Sequence, residues 1–213
     1  MKKNFKIILG FFGILILVFF SGPKVVEPNL NQEVPSVPEN LSELNDWITA
    51  RELKIEGIKD GNASRIEFYD SIPQKTKYSV LYMHGFSASS EEGAPFHQKI
   101  AKHFKANLYL PRLFGHGIDN ESPLEEFNGD QYIASALEAL EVAKTLGDQV
   151  ILLGTSNGGT LSLLLGDDPK VAIIGLYSPN IRIKNPLMGI GTLPWGLEIT
   201  TFALQYGGNF LLL

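Results

Sequence analysis

Cysteine is absent from all 213 residues. That excludes disulfides, thiolate metal sites, a cysteine nucleophile and a lipidated N-terminal cysteine, leaving oxygen and nitrogen chemistry. Basic residues are also few: 18 Lys and Arg stand against 23 Asp and Glu, a net charge of −5, with no basic stripe. Phosphate binding needs clustered cations, so a nucleic-acid partner is excluded. Histidine is confined to His84, His97, His103 and His116. Neither a cofactor nor a metal is expected. The length suits one sizeable domain plus a leader.

The leader is what is present first. "MKKNFKIILGFFGILILVFFSG" sets Lys2, Lys3 and Lys6 ahead of an apolar or glycine run from Ile7 to Phe20, so residues 1–21 read as an export signal. The run falls short of the about 20 residues usual for a full span and suits a signal-peptide core, yet no A-x-A-like cleavage site follows it. A cleaved signal and an uncleaved membrane anchor both fit, and the reading leans to the anchor. In either case the lysines stay inside and the rest crosses the membrane. A buried N-terminal helix would instead lack any polar face for a globular surface. Residues 22–40 hold Pro23, Pro28, Pro35 and Pro38 in a polar stretch and read as an extended linker. The domain then covers 41–213.

Within it, Leu41, Leu44, Trp47 and Ile48 recur at helical spacing, predicting a short entry helix over 41–51 with Trp47 packed in the core. Strands are predicted at 52–55, 65–69, 78–83, 106–110, 149–153 and 171–177. Several are continuous apolar runs, the pattern of strands covered on both faces. Helices are predicted at 94–104, at 131–146 with Asp130 as cap and Gly147 as stop, and at 157–165. This alternation implies parallel strands joined by crossovers, hence an α/β fold.

The chemistry concentrates in "ILLGTSNGGTLSLLL", residues 151–165. Gly154-Thr155-Ser156-Asn157-Gly158 matches G-x-S-x-G between a strand and a helix, the context this motif requires. Side chains at 154 and 158 would collide where the chain reverses and lifts the serine into the open. The Asn157 N–H, at the helix N-terminus, is then a donor toward a developing oxyanion. A phosphate loop would need a lysine where the turn closes Gly-Gly-Thr, and a dinucleotide loop would need glycine at Ser156. A purely structural turn remains the third reading.

Upstream, "SVLYMHGFSASSEEG" ends a strand in His84-Gly85-Phe86, and the Phe86 N–H is the candidate for a second oxyanion donor. His84 reads as a brace for its own loop. A third piece, Gly115-His116-Gly117, follows the next strand. These three motifs resemble the α/β-hydrolase superfamily, particularly its esterases, lysophospholipases and monoacylglycerol-lipase-like members, over roughly residues 50–180. The resemblance implies a mostly parallel sheet with helices on both faces. It also implies that Ser156 attacks an acyl carbonyl, that the Phe86 and Asn157 amides hold the oxyanion, and that an acyl-enzyme is hydrolysed. Small esters or lipids are the implied substrates.

The family order is Ser, then Asp or Glu, then His, whereas all four histidines here precede Ser156. His97 and His103 share a helical pattern with Phe96, Ile100 and Phe104 and read as surface or bracing residues. His116 is the one substitute base near the expected pocket mouth. The stretch from 181 reads as the start of a cap, whose Met188, Leu193, Trp195 and Phe202 suit an apolar group. The expectation is an incomplete copy of a longer hydrolase, lacking the last strands and two triad members, with little turnover of its own. A non-catalytic hydrolase-like binding module is the competing expectation.

Overall fold

The computed structural model describes residues 2–23, 26–119, 124, 127–181, 189 and 192–196. The chain divides into two compact units, Met1–Glu27 with Arg182–Leu213, and Pro28–Ile181. In the first, helix α1 (Lys2–Phe20) exposes Leu9, Phe12, Ile16 and Phe20. The Trp195 indole N–H donates to the Val18 carbonyl at 2.8 Å. Among the described residues no helix is long and apolar enough to cross a membrane. Met188 and Phe202, and most of the cap stretch, lie outside the described residues.

The second unit carries a five-stranded sheet in the order β1-β3-β2-β4-β5. Its strands are β1 (Arg65–Glu67), β2 (Thr76–Met83), β3 (Asn107–Leu110), β4 (Gly147–Thr155) and β5 (Val171–Tyr177); its helices are α2 (Leu41–Glu52), α3 (Phe96–Phe104), α4 (Gly129–Leu146) and α5 (Asn157–Leu164). β2 pairs in parallel with β3 and β4, and β4 with β5, as the α/β alternation requires. Period-two alternation along the central strands makes two cores. Leu81, Met83, Val150 and Leu152 face α2, α4 and α5, packing on Leu44, Ile48, Leu140 and Leu161. Val80, Tyr82, Ile151 and Leu153 face the α3 side with Ala101 and Ile100. Burial on both faces explains why these strands read as unbroken apolar runs.

Several local expectations are corrected. β1 runs antiparallel to β3, giving the sheet one mixed edge. Residues 52–55 form no strand: α2 continues to Glu52, whose carboxylate accepts from Arg112 Nε at 2.9 Å and from Ser64. That pairing holds Glu52 at the helix end. α4 is capped by Asn128, which accepts from Gln131 N–H at 3.0 Å, while Asp130 instead accepts from Asn29 N–H at 2.6 Å. Gly147 does end α4, but in extended conformation at φ −144°. It is the first residue of β4, where a Cβ would strike the backbone of Tyr78 and Ser79. The 28–40 segment lies along its unit, with Gln32 bonded to the Asp130 carbonyl and Val37 against the core.

Candidate active site

β4 ends at Thr155 and α5 begins at Asn157, so Ser156 alone makes the reversal. Its backbone sits at φ 50° and ψ −117°, a conformation costing an L-residue about 1–3 kcal/mol. Neighbouring bonds hold it there. Ser156 N–H donates to Tyr177 O at 3.0 Å, and Ser156 O accepts from Asn180 N–H at 3.1 Å and Thr160 N–H at 3.2 Å. Asn180 Nδ2 donates to Asn157 Oδ1 at 2.8 Å, and Thr160 Oγ1 to Asn180 O at 2.7 Å. The segment leaving β5 is thus laced across the first turn of α5.

Glycine at 154 and 158 answers a steric demand. A Cβ on Gly154 would stand 2.5 Å from Gly158 O and from Ser162 Oγ. One on Gly158 would strike the carbonyls of Met83 and His84. The close approach seats α5 on the end of β2. It also sets the two motif loops side by side, since a Cβ on Gly85 would lie 3.3 Å from Ser156 Cβ.

His84 is buried and both its ring nitrogens are engaged. Leu113 N–H donates to Nε2 at 3.2 Å, so Nδ1 carries the proton and donates to Gly85 O at 2.9 Å. Burial pushes its pKa down to about 4, favouring this neutral form. Gly85 O accepts also from Ala88 N–H at 3.2 Å. The Gly85–Phe86 amide is trans, so anchoring its carbonyl on one side turns the Phe86 N–H to the other. Among the described residues neither Phe86 N–H nor Asn157 N–H has an acceptor. The latter belongs to the first turn of α5, whose free amides make the positive end of the helix.

His116 is also buried. Its Nδ1 donates to Phe114 O at 2.8 Å, leaving on Nε2 a lone pair without a partner. Desolvation lowers its pKa. The ring packs against His84, Phe86 and Tyr132 at 5.0, 5.3 and 5.5 Å between centroids. No hydrogen bond joins it to Ser156, and among the described residues Ser156 Oγ bonds to no general base. His97 braces the loop after β2, bonding Ser90 O at 2.8 Å, and His103 is exposed.

Sequence reasoning passed over Glu92, whose carboxylate accepts from Gly85 N–H at 2.8 Å. An acidic residue in a serine-rich loop carries no periodic signal for such a contact. A cavity of about 1110 Å³ opens among Trp47, Glu52, Tyr109, Arg112, Phe114 and Phe127. It does not include Ser156, and its two arginines are already committed, Arg112 to Glu52 and Arg51 to Glu138.

No protein-family model matches the sequence, and neither does any curated protein. Solved structures do match. A structure of the metagenome-derived lipolytic enzymes LipS and LipT aligns at TM-score 0.53 and 21% identity, over 62% of this chain and 52% of that one. MenH from S. aureus aligns at 0.45 and 20%, over 70% and 53%. A lipase-esterase related protein from Clostridium acetobutylicum aligns at 0.39 and 23%, over 55% and 49%. The chain therefore spans about half the length of these structures. The first match, together with the sheet order and the helices on both faces, gives the described domain the α/β-hydrolase fold.

Proposed function

We propose that the protein is a serine hydrolase of carboxylic esters, with Ser156 as nucleophile and the Phe86 and Asn157 amides as oxyanion donors. The observation that carries this reading is the strained elbow of Ser156 at φ 50° lying directly against the His84-Gly85-Phe86 loop. Backbone strain of this kind concentrates where a side chain is held out for chemistry.

In the proposed reaction Ser156 Oγ attacks the ester carbonyl carbon and loses its proton to a general base. The carbonyl π electrons move onto oxygen, where two preorganised amides stabilise the charge. Collapse of the tetrahedral species expels the alcohol, which takes a proton from the protonated base, and leaves an acyl-serine. Water repeats the sequence and releases the acid. His84 cannot be that base in this arrangement, because both its nitrogens serve the backbone. His116 keeps a free lone pair on Nε2 and its ring packs against Phe86, whereas His97, whose Nδ1 is also unpartnered, packs against Tyr82.

Acylglycerol-like or lysophospholipid-like esters are the proposed substrate class, following the motif resemblance. Lys2, Lys3 and Lys6 before the apolar run support export, with the domain on the extracytoplasmic side, either held by the N-terminal segment or released by cleavage. The deciding experiment for the activity is fluorophosphonate labelling. The wild type should label, and Ser156→Ala should not; equal labelling of the two sinks the proposal.

A second reading, a hydrolase-like module that binds an apolar ligand without turning it over, draws on the absence of any base bonded to Ser156 Oγ among the described residues. It predicts ligand binding that survives Ser156→Ala.

A further inference from the structure

The Glu92 carboxylate stands where three pieces of the fold meet. Its Oε2 accepts from Gly85 N–H at 2.8 Å and from the Tyr82 hydroxyl at 3.2 Å. The Tyr82 oxygen lies 2.9 Å from Thr155 Oγ1. A carboxylate only accepts, so the Tyr82 proton goes to Glu92 and the Thr155 hydroxyl donates to Tyr82. One continuous chain thereby joins the residue before Phe86 to the residue before Ser156.

The base of this chain is fixed. Glu92 belongs to a 3₁₀ turn at Ser90–Gly93 clamped by His97 on Ser90 O and by Arg65 on Ser90 Oγ and Glu91. Gly93 lets the turn close on Tyr82, whose ring a Cβ there would strike. The carboxylate oxygens would come within 3.0 and 3.2 Å of a Cβ on Gly85, and Ser156 Cβ within 3.3 Å of the same point. A negative charge so close to a developing oxyanion opposes it. What Glu92 contributes must therefore be its acceptor geometry rather than its charge.

We propose that Glu92 is a positioning residue for the oxyanion site: through Gly85 on one side and Tyr82 and Thr155 on the other, it fixes the Phe86 amide relative to the Asn157 amide. The proposal rests on the serine-hydrolase reading given above. It predicts that Gln, which keeps an acceptor oxygen, replaces Glu92, and that Ala does not.

The test measures amide hydrogen exchange by NMR and the fluorophosphonate labelling rate on the full chain, for wild type, Glu92→Ala, Glu92→Gln and Ser156→Ala. Loss of one hydrogen-bond acceptor is expected to speed Gly85 exchange about 10-fold in Glu92→Ala and to slow labelling about as much. Leu81 and Leu152 amides should be unchanged, and Glu92→Gln should stay near wild type in both readouts. Unchanged Gly85 exchange in Glu92→Ala, or free exchange with an unaltered labelling rate, overturns the proposal. So does a Glu92→Gln variant as impaired as Glu92→Ala. If Glu92→Ala also exposes Leu81 and Leu152, Tyr82→Phe decides: it removes the hydroxyl's bonds to Glu92 and Thr155 but leaves the Glu92 bond to Gly85, and must slow labelling while Gly85 stays protected. Equal labelling of wild type and Ser156→Ala defeats the hydrolase reading instead, while Gly85 exchange still reports on Glu92.

Discussion

The amide of Leu113 donates to Nε2 of His84 at 3.2 Å, so the loop after β3 fixes the ring that in turn fixes the loop after β2. The bond works only with a neutral imidazole. Its folded pKa, about 4, lies below the ordinary value, so the unfolded chain takes up a proton that the native state refuses. Stability is therefore complete above pH 6.5 and falls as the pH drops toward 4, by about 3 kcal/mol for this group. His97 and His116, also shifted down by burial, add in the same direction. Urea unfolding at a series of pH values should show the slope, and His84→Asn should flatten it. An identical slope in the variant would refute the assignment.

Ser156 is strained where it stands. Ser156→Gly should remove the steric cost of the positive φ and raise stability by about 1 kcal/mol, after allowing for the extra freedom of glycine in the unfolded chain. Denaturant midpoints decide this. A variant less stable than wild type would mean that the lost side chain, not the backbone, dominates.

Gly158→Ala places a methyl group against the carbonyls of Met83 and His84, both backbone atoms of a central strand and its exit. The expected loss is about 2–3 kcal/mol, read as a lower thermal midpoint, along with lost labelling of Ser156. A variant of wild-type stability would show that α5 can slide without cost.

Hydrolysis of p-nitrophenyl acetate and butyrate by the folded 213-residue chain should be weak, since no base is bonded to Ser156 Oγ among the described residues. Robust turnover that vanishes in both Ser156→Ala and His116→Ala would instead make His116 the base. Its free Nε2 makes that outcome chemically coherent.

Protease added to intact spheroplasts should remove the domain if residues 1–21 direct export. Survival there, followed by digestion after lysis, would reverse the proposed orientation.

Much of this was readable from residues alone. The runs over 78–83 and 149–153 announced strands because burial on both faces forces apolar side chains at successive positions, and G-x-S-x-G marked the reversal through its local sterics. Boundaries that depend on distant partners were not readable. Glu52 ends a helix instead of starting a strand because Arg112 and Ser64 hold its carboxylate. Asn128 displaces Asp130 as cap because Asp130 is taken by Asn29. Glu92 was invisible for the same reason: its bond to Gly85 exists only once the 3₁₀ turn has folded back over Tyr82.

The seat of Gly158 on the carbonyls of Met83 and His84 also orders events in time. α5 is a short local helix, yet its seat is built from β2 and β4, distant in sequence, so its N-terminus is expected to settle only after these strands have paired. Closing so long a loop is a slow step compared with helix growth. The serine thus acquires its geometry late, when the sheet beneath it is already built. An early, half-assembled chain would carry the motif without its poise, and appearance of probe reactivity during refolding would mark completion of the central sheet.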